Sequence, residues 1–346
     1  MTRVSRLVLA VAVAASSGLA ARAAEVDPML PKESEQVMFV NFKQLLDSDL
    51  AKKYVLAKAK EAMKVGEMTA ILEALGLDPL TDITSVTAGI WGGQPPKPGE
   101  PGKPPVAPGQ PPNTVAIIRG KFDGEKLLKA ADDLAVKFAD KVKISVVEEG
   151  DFRLIKLVGD NGSPFYVSVA DETTLVGGTG AALVAECLTA KKTKAKARLS
   201  REMTALVLRQ DAKASLFFCQ RTEGKLDQLP FNFSALPGVD GDQLKEQIGK
   251  VLSISMTLRV GKEIGAEVTA GLKDGDAAEG FGANVGKLLD VAKTFLGVTA
   301  GAASVKYKPI TEDIVKTVKH EVKKSDVVVS VKLTAEALAL VFGEDE

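Results

Sequence analysis

Apolar and polar positions alternate along this chain with periods that mark out strands and helices. In residues 114–138 (TVAIIRGKFDGEKLLKAADDLAVKF), Val115, Ala116, Ile117 and Ile118 form a short run rich in β-branched side chains. That is the pattern of a strand buried on both faces. Gly120 and the Asp123-Gly124 pair end the strand, and Asp123 stands where a helix N-cap belongs. Leu127, Leu128, Ala131, Leu134, Ala135 and Phe138 then recur at helical spacing and make one apolar stripe. The same order returns in residues 264–295. Ile264, Ala266, Val268, Ala270 and Leu272 alternate, Asp274-Gly275-Asp276 follows, and Phe281, Val285, Leu288, Leu289, Ala292 and Phe295 give a second helix its face. Both stretches hold Gly-x-x-Asp-Gly-acidic, at Gly120 to Glu125 and Gly271 to Asp276, offset by 151 residues.

The rest of the chain reads around these two stretches. Before the first lie a strand at 37–42, helices at 43–63 and 68–75, and a strand at 83–91. After it come strands at 143–148, 153–158, 165–170 and 174–176 and a helix at 181–189. The second stretch is preceded by strands at 215–219 and 251–260 with a short helix at 243–249 between them. It is followed by a hairpin, 314–322 with 326–332, and a last helix at 335–342. The expected fold is α+β: two tandem pseudo-repeats of β-α-β-β-α-β-β-α, antiparallel sheets with helices packed on one face. The boundaries are 24–190 for the first repeat, 191–213 for a basic linker and helix, and 214–346 for the second. A chain of 346 residues suits two such units better than one core.

Residues 1–23 read as an export signal. Arg3 and Arg6 precede an uncharged apolar run, 7–20, and Ala21-Arg22-Ala23 supplies small residues for cleavage after Ala23. The run is shorter than the roughly 20 residues of a membrane span. Loss of Arg3, Arg6 and Arg22 leaves 42 basic against 45 acidic residues, a formal charge of −3. The mature chain is thus expected to be periplasmic or secreted, with no integral membrane segment. Residues 92–112 hold nine of the sixteen prolines and read as a Pro-rich disordered loop.

Balanced charge and an aromatic content of 5% argue against a nucleic-acid partner. Export gives the two cysteines meaning. Cys187 falls on the helix at 181–189 and Cys219 on the strand at 215–219, and an oxidising compartment would permit a disulfide between them. The alternative is two buried thiols packed as small hydrophobes. Gly177-Gly178-Thr179-Gly180 between strand and helix has the outline of an anion cradle but lacks the Lys-Ser/Thr of a P-loop and the third glycine of a dinucleotide fingerprint, so it reads as a turn. Asp240-Gly241-Asp242 and Asp274-Gly275-Asp276 lack the alternating oxygens of a calcium loop and read as caps. His320 has no second histidine to share a metal and reads as exposed. Lys191 to Arg201 carries six positive charges and reads as a solvated linker. No catalytic, cofactor-binding or metal-ligating set emerges.

The leader, Leu30-Pro31-Lys32-Glu33 before a strand, Leu75-Gly76-Leu77-Asp78-Pro79-Leu80, and the Thr174-Leu175-Val176-Gly177-Gly178 turn together resemble a group of uncharacterised exported bacterial proteins. The resemblance implies a periplasmic or secreted α+β protein and transfers no catalytic residues. The function expected from these features is a non-enzymatic binding or cell-envelope scaffold protein, partnered by an envelope component or another protein. A carrier of an apolar or lipid-like ligand is the first alternative, and a hydrolase using dispersed carboxylates the second.

Overall fold

A computed structural model describes residues 23–63, 76–93, 111–137, 143–159, 162–223, 226, 240–300 and 308–342. The leader, the helix expected at 68–75 and all but the ends of the Pro-rich insert lie outside the described residues. The chain opens with β1 (Gln36–Val40), α1 (Phe42–Asp47), a π-helical turn (Ala51–Val55), α2 (Leu56–Met63) and α3 (Pro79–Asp82). Then come β2 (Ile83–Trp91), β3 (Asn113–Gly120), α4 (Gly124–Lys137), β4 (Lys143–Glu149), β5 (Phe152–Val158), β6 (Pro164–Asp171) and β7 (Thr174–Gly178). Helices α5 (Ala181–Lys192) and α6 (Arg201–Leu208) lead to β8 (Leu216–Arg221), α7 (Gly241–Ile248), β9 (Val251–Val260) and β10 (Ile264–Leu272). The chain closes with α8 (Gly275–Ala300), α9 (Lys308–Thr317), β11 (Lys319–Lys323), β12 (Asp326–Leu333) and α10 (Ala335–Phe342).

All twelve strands form one antiparallel sheet in the order β11-β12-β10-β9-β8-β1-β2-β3-β7-β6-β5-β4. The expectation of separate sheets is corrected at its centre. β1 and β8 pair along their length, Gln36 with Gln220 through Val40 with Leu216. Val37, Phe217 and Cys219 are buried there, so neither strand offers the charged or interrupted edge that keeps sheets apart.

Strand registers sort the side chains onto two faces. Val86, Ile118, Leu175 and Val169 share what we call the front face with Met38, Phe218 and Met256, and Val37, Val115, Ile117, Val176 and Cys219 share the back. On the back, the largest core joins α5, α6 and the lead-in segment to the sheet through Val184, Cys187, Met203, Val207, Met29 and Leu30. On the front, α4 lies over β4 and β6, while α8 and α9 lie over β10 to β12. Helices on one face only is therefore also corrected. β7 is buried at all five positions because its Leu-Val-Gly-Gly run has no polar side to give to water. The back face of β9 and β10 does have one, in Ser253, Ser255, Thr257, Arg259, Glu267 and Thr269.

A smaller correction concerns residues 314–317, which belong to helix α9 and not to a strand. Ile310, Ile314 and Val315 follow helical spacing, and Pro309 in the first turn needs no amide partner. Among the described residues no helix is long and apolar enough to cross a membrane.

Candidate functional site

The first strand–turn–helix stretch builds one wall of a large cavity. A Cβ on Gly120 would overlap the carbonyl oxygen of Asp82, so only glycine lets β3 end against that backbone. The chain is then pinned by three bonds, Gly120 N to Thr173 O (3.0 Å), Lys121 N to Asp82 O (2.9 Å) and Phe122 N to Glu172 O (2.8 Å). Asp123 Oδ1 accepts from Lys126 N at 3.0 Å and starts α4. Phe122 is buried with Leu127 and Leu175 and closes this end.

From there α4 crosses the front face with Leu127, Ala130, Ala131 and Leu134 buried. Opposite them stand Ile144, Ile155, Leu157, Val167, Val169 and Leu175 from four strands. Helix and sheet do not close on each other. They bound a cavity of about 1360 Å³ with walls that are mainly aliphatic. Polar groups join the lining where β3 ends and at the β4–β5 and β6–β7 turns: Asp82, Lys121, Asp123 and Lys126, with Asp151, Arg153, Asp171 and Glu172. Burial works to raise the pKa of Asp171, but hydrogen bonds from Lys191 and Thr173 outweigh it and hold the carboxyl below its usual range. Asp171 stays an anion paired with Lys191 at 2.9 Å. Such a site can shelter an apolar body and leave a polar end in water. Asp171 and Asp151 are paired with Lys191 and Lys192, and Asp123 is taken up by the start of α4.

The residues singled out from the sequence lie elsewhere. Cys187 is on α5, which packs on β7 and β6, and Cys219 is on β8. Strands β1, β2 and β3 lie between β8 and β7. That is a lateral separation of roughly 19 Å at ordinary strand spacing, where a bridge needs Cα atoms within roughly 7 Å. The expected disulfide is corrected: both are free thiols in the back-face core. Burial pushes each thiol up to about 12.

Gly177 and Gly178 are packing glycines. A Cβ on the first would stand 2.9 Å from the Phe165 ring, and on the second 2.9 Å from Thr114 O. Asp240 and Asp274 spend their carboxylates on helix starts, accepting from Gln243 N (3.0 Å) and Ala277 N (2.9 Å). The basic stretch is partly neutralised, with Lys191 on Asp171, Lys192 on Asp151 (3.4 Å) and Arg198 on Glu186. His320 is exposed on β11. Among the described residues no three His, Cys, Asp or Glu side chains gather as metal ligands. Sequence reasoning named one wall of the cavity, the stripe of α4, and placed the strands of the other, without the space between them.

No family model and no curated protein matches the chain. A solved structure titled "Structure of crystal form I of TP0453" aligns with 92% of this chain and 98% of that chain, at 10% identity and a TM-score of 0.42. That is a distant likeness.

Proposed function

We propose that this chain is an exported, non-enzymatic binding protein that carries an apolar ligand between α4 and the front face of β4 to β7. The observation that carries the reading is the aliphatic cavity of about 1360 Å³, roomier than the ~300–1,000 Å³ of common small-molecule sites. Burying roughly 400 Å² of apolar ligand surface there gives ~10 kcal/mol at ~25 cal/mol per Å². Association costs of ~4 kcal/mol or more leave a dissociation constant in the order of tens of micromolar. Titration with an uncharged fluorescent apolar probe tests this. One saturable site, weakened about tenfold by Ala131→Phe, supports it. No saturable binding, or equal binding by both proteins, contradicts it.

Export through residues 1–23 goes with this reading, and a mature N-terminus at Ala24 on Edman sequencing is its expected outcome. We also read residues 24–190 and 214–346 as two copies of one unit. The strand order supports this: it runs outward from the seam as β1-β2-β3-β7 on one side and β8-β9-β10-β12 on the other. α4 follows β3 as α8 follows β10.

A further inference from the structure

The two ends of the sheet are unlike. β11 is five residues long, exposed throughout, and reads Lys-His-Glu-Val-Lys. Four polar or charged side chains in five protect that edge against pairing with another strand. β4, at the other end, is seven residues long and reads Lys-Ile-Ser-Val-Val-Glu-Glu. Its centre, residues 144–147, has no charge, proline or glycine, and its pairing with β5 runs without a bulge.

The register fixes which backbone groups of β4 are free. β4 and β5 are joined by the two residues Gly150 and Asp151, Gly150 having φ +58°, with Glu149 opposite Phe152. In a two-residue hairpin the pair flanking the turn is the hydrogen-bonded one, and bonded and unbonded pairs alternate from there. Glu149, Val147, Ser145 and Lys143 therefore bond to β5. The N–H and C=O groups of Ile144, Val146 and Glu148 point out of the sheet. Among the described residues no other backbone group bonds to them.

We propose that this edge is a homodimer interface, in which β4 pairs antiparallel with β4 of a second copy about a two-fold axis at Val146. All three outward residues are then used: Val146 faces Val146 of the second copy, and Ile144 faces Glu148 on each side, for about six backbone hydrogen bonds. The same register sets Lys143 opposite Glu149 at both ends of the pairing, an opposite-charge couple occurring twice by symmetry. Moving the axis to Glu148 sets that carboxylate against its own copy and leaves Ile144 unpaired. An axis at Ser145 or Val147 pairs only two of the three outward residues with each other, for about four backbone hydrogen bonds, and takes Glu149 away from Lys143. Charge and hydrogen bonding thus select one register, and the strand is complementary to itself. The sheets of the two copies become one, with the α4 cavities on the same face of it.

Sedimentation velocity on the purified full-length protein, across a concentration series, tests the interface. The expected result is a monomer–dimer equilibrium that Lys143→Glu and Glu149→Lys each weaken about tenfold, and that the double reversal restores. Val146→Pro removes an outward amide without touching the β5 ladder and is expected to abolish the dimer. The charge swap stands even if that variant fails to fold. A monomer at every concentration overturns the proposal. So does a dimer indifferent to both single reversals, which would place the contact elsewhere, or recovery only with a different protein bound along β4.

Discussion

Helices α4 and α8 leave the sheet by the same sequence device and then pack in opposite ways. Each follows Gly-x-x-Asp-Gly-acidic, and each Asp accepts an amide three residues on, Asp123 from Lys126 and Asp274 from Ala277. Past the cap, α4 turns leucines to the sheet, while α8 turns Ala278, Phe281 and Val285 to the core of β9, β10 and β12 and glycines to β11. A Cβ on Gly282 would overlap a methyl of Val322, and one on Gly286 would stand 2.8 Å from the His320 ring. Asn284, buried between them in sequence, donates to Gln247 Oε1 at 2.8 Å and ties α8 to α7. Where glycine removes the side chain, the helix backbone comes down close onto β11. Where leucine and alanine alternate under α4, the helix stands off and about 1360 Å³ remains. Hollowness is thus a property of the helix face and not of the strand–turn–helix plan.

The sharpest way to break the comparison is at the turn itself. Gly120→Ala is expected to cost about 3 kcal/mol because its Cβ meets a backbone carbonyl that cannot step aside. Gly271→Ala meets the hydroxyl of Ser253 at 2.5 Å, a side chain that can rotate away, and is expected to cost about 1 kcal/mol. Urea midpoints of the two variants give the ordering, and equal losses would mean the two turns are under the same constraint. Next come the helix faces. Gly282→Leu is expected to destabilise by about 2 kcal/mol through overpacking against Val322, whereas Ala131→Phe, which extends into the cavity, should change stability by less than ~1 kcal/mol. Thermal unfolding of the pair checks it, and a large loss from Ala131→Phe would deny that the space is open.

The caps should agree where the faces differ. Asp123→Ala and Asp274→Ala are each expected to lose about 1 kcal/mol by chemical denaturation. A neutral result at either position would remove it from the shared plan. The smallest effect is chemical. With Cys187 and Cys219 raised to about 12 by burial, thiolate is scarce at pH 8 and neither should be alkylated in the folded protein. Both should react after unfolding without reductant, and labelling of neither would restore the bridge between them.

Much of this fold is legible in the sequence because its signals are local. Ile83 to Trp91 is a strand in both readings, and Asp123 and Asp240 cap the helices they precede. What depends on distant partners is not legible. The seam needs Val37 and Cys219 to find each other across some 180 residues, and no periodicity carries that information. The burial of both faces of β7 was written in its apolar run, but which helix covers which face depends on where α5 turns back after Gly180. The helix Lys308–Thr317 is not legible because Ile314, Val315 and Val318 also suit a short strand. The cavity is the least legible feature. Leu127, Leu128, Ala131 and Leu134 look the same in sequence whether they touch a sheet or line a space.

Native mass spectrometry of the protein purified from the cells that make it tests the central claim most directly. The account predicts an apolar adduct that leaves on denaturation and is missing from Ala131→Phe. A bare chain, or an adduct that Ala131→Phe keeps, would contradict it.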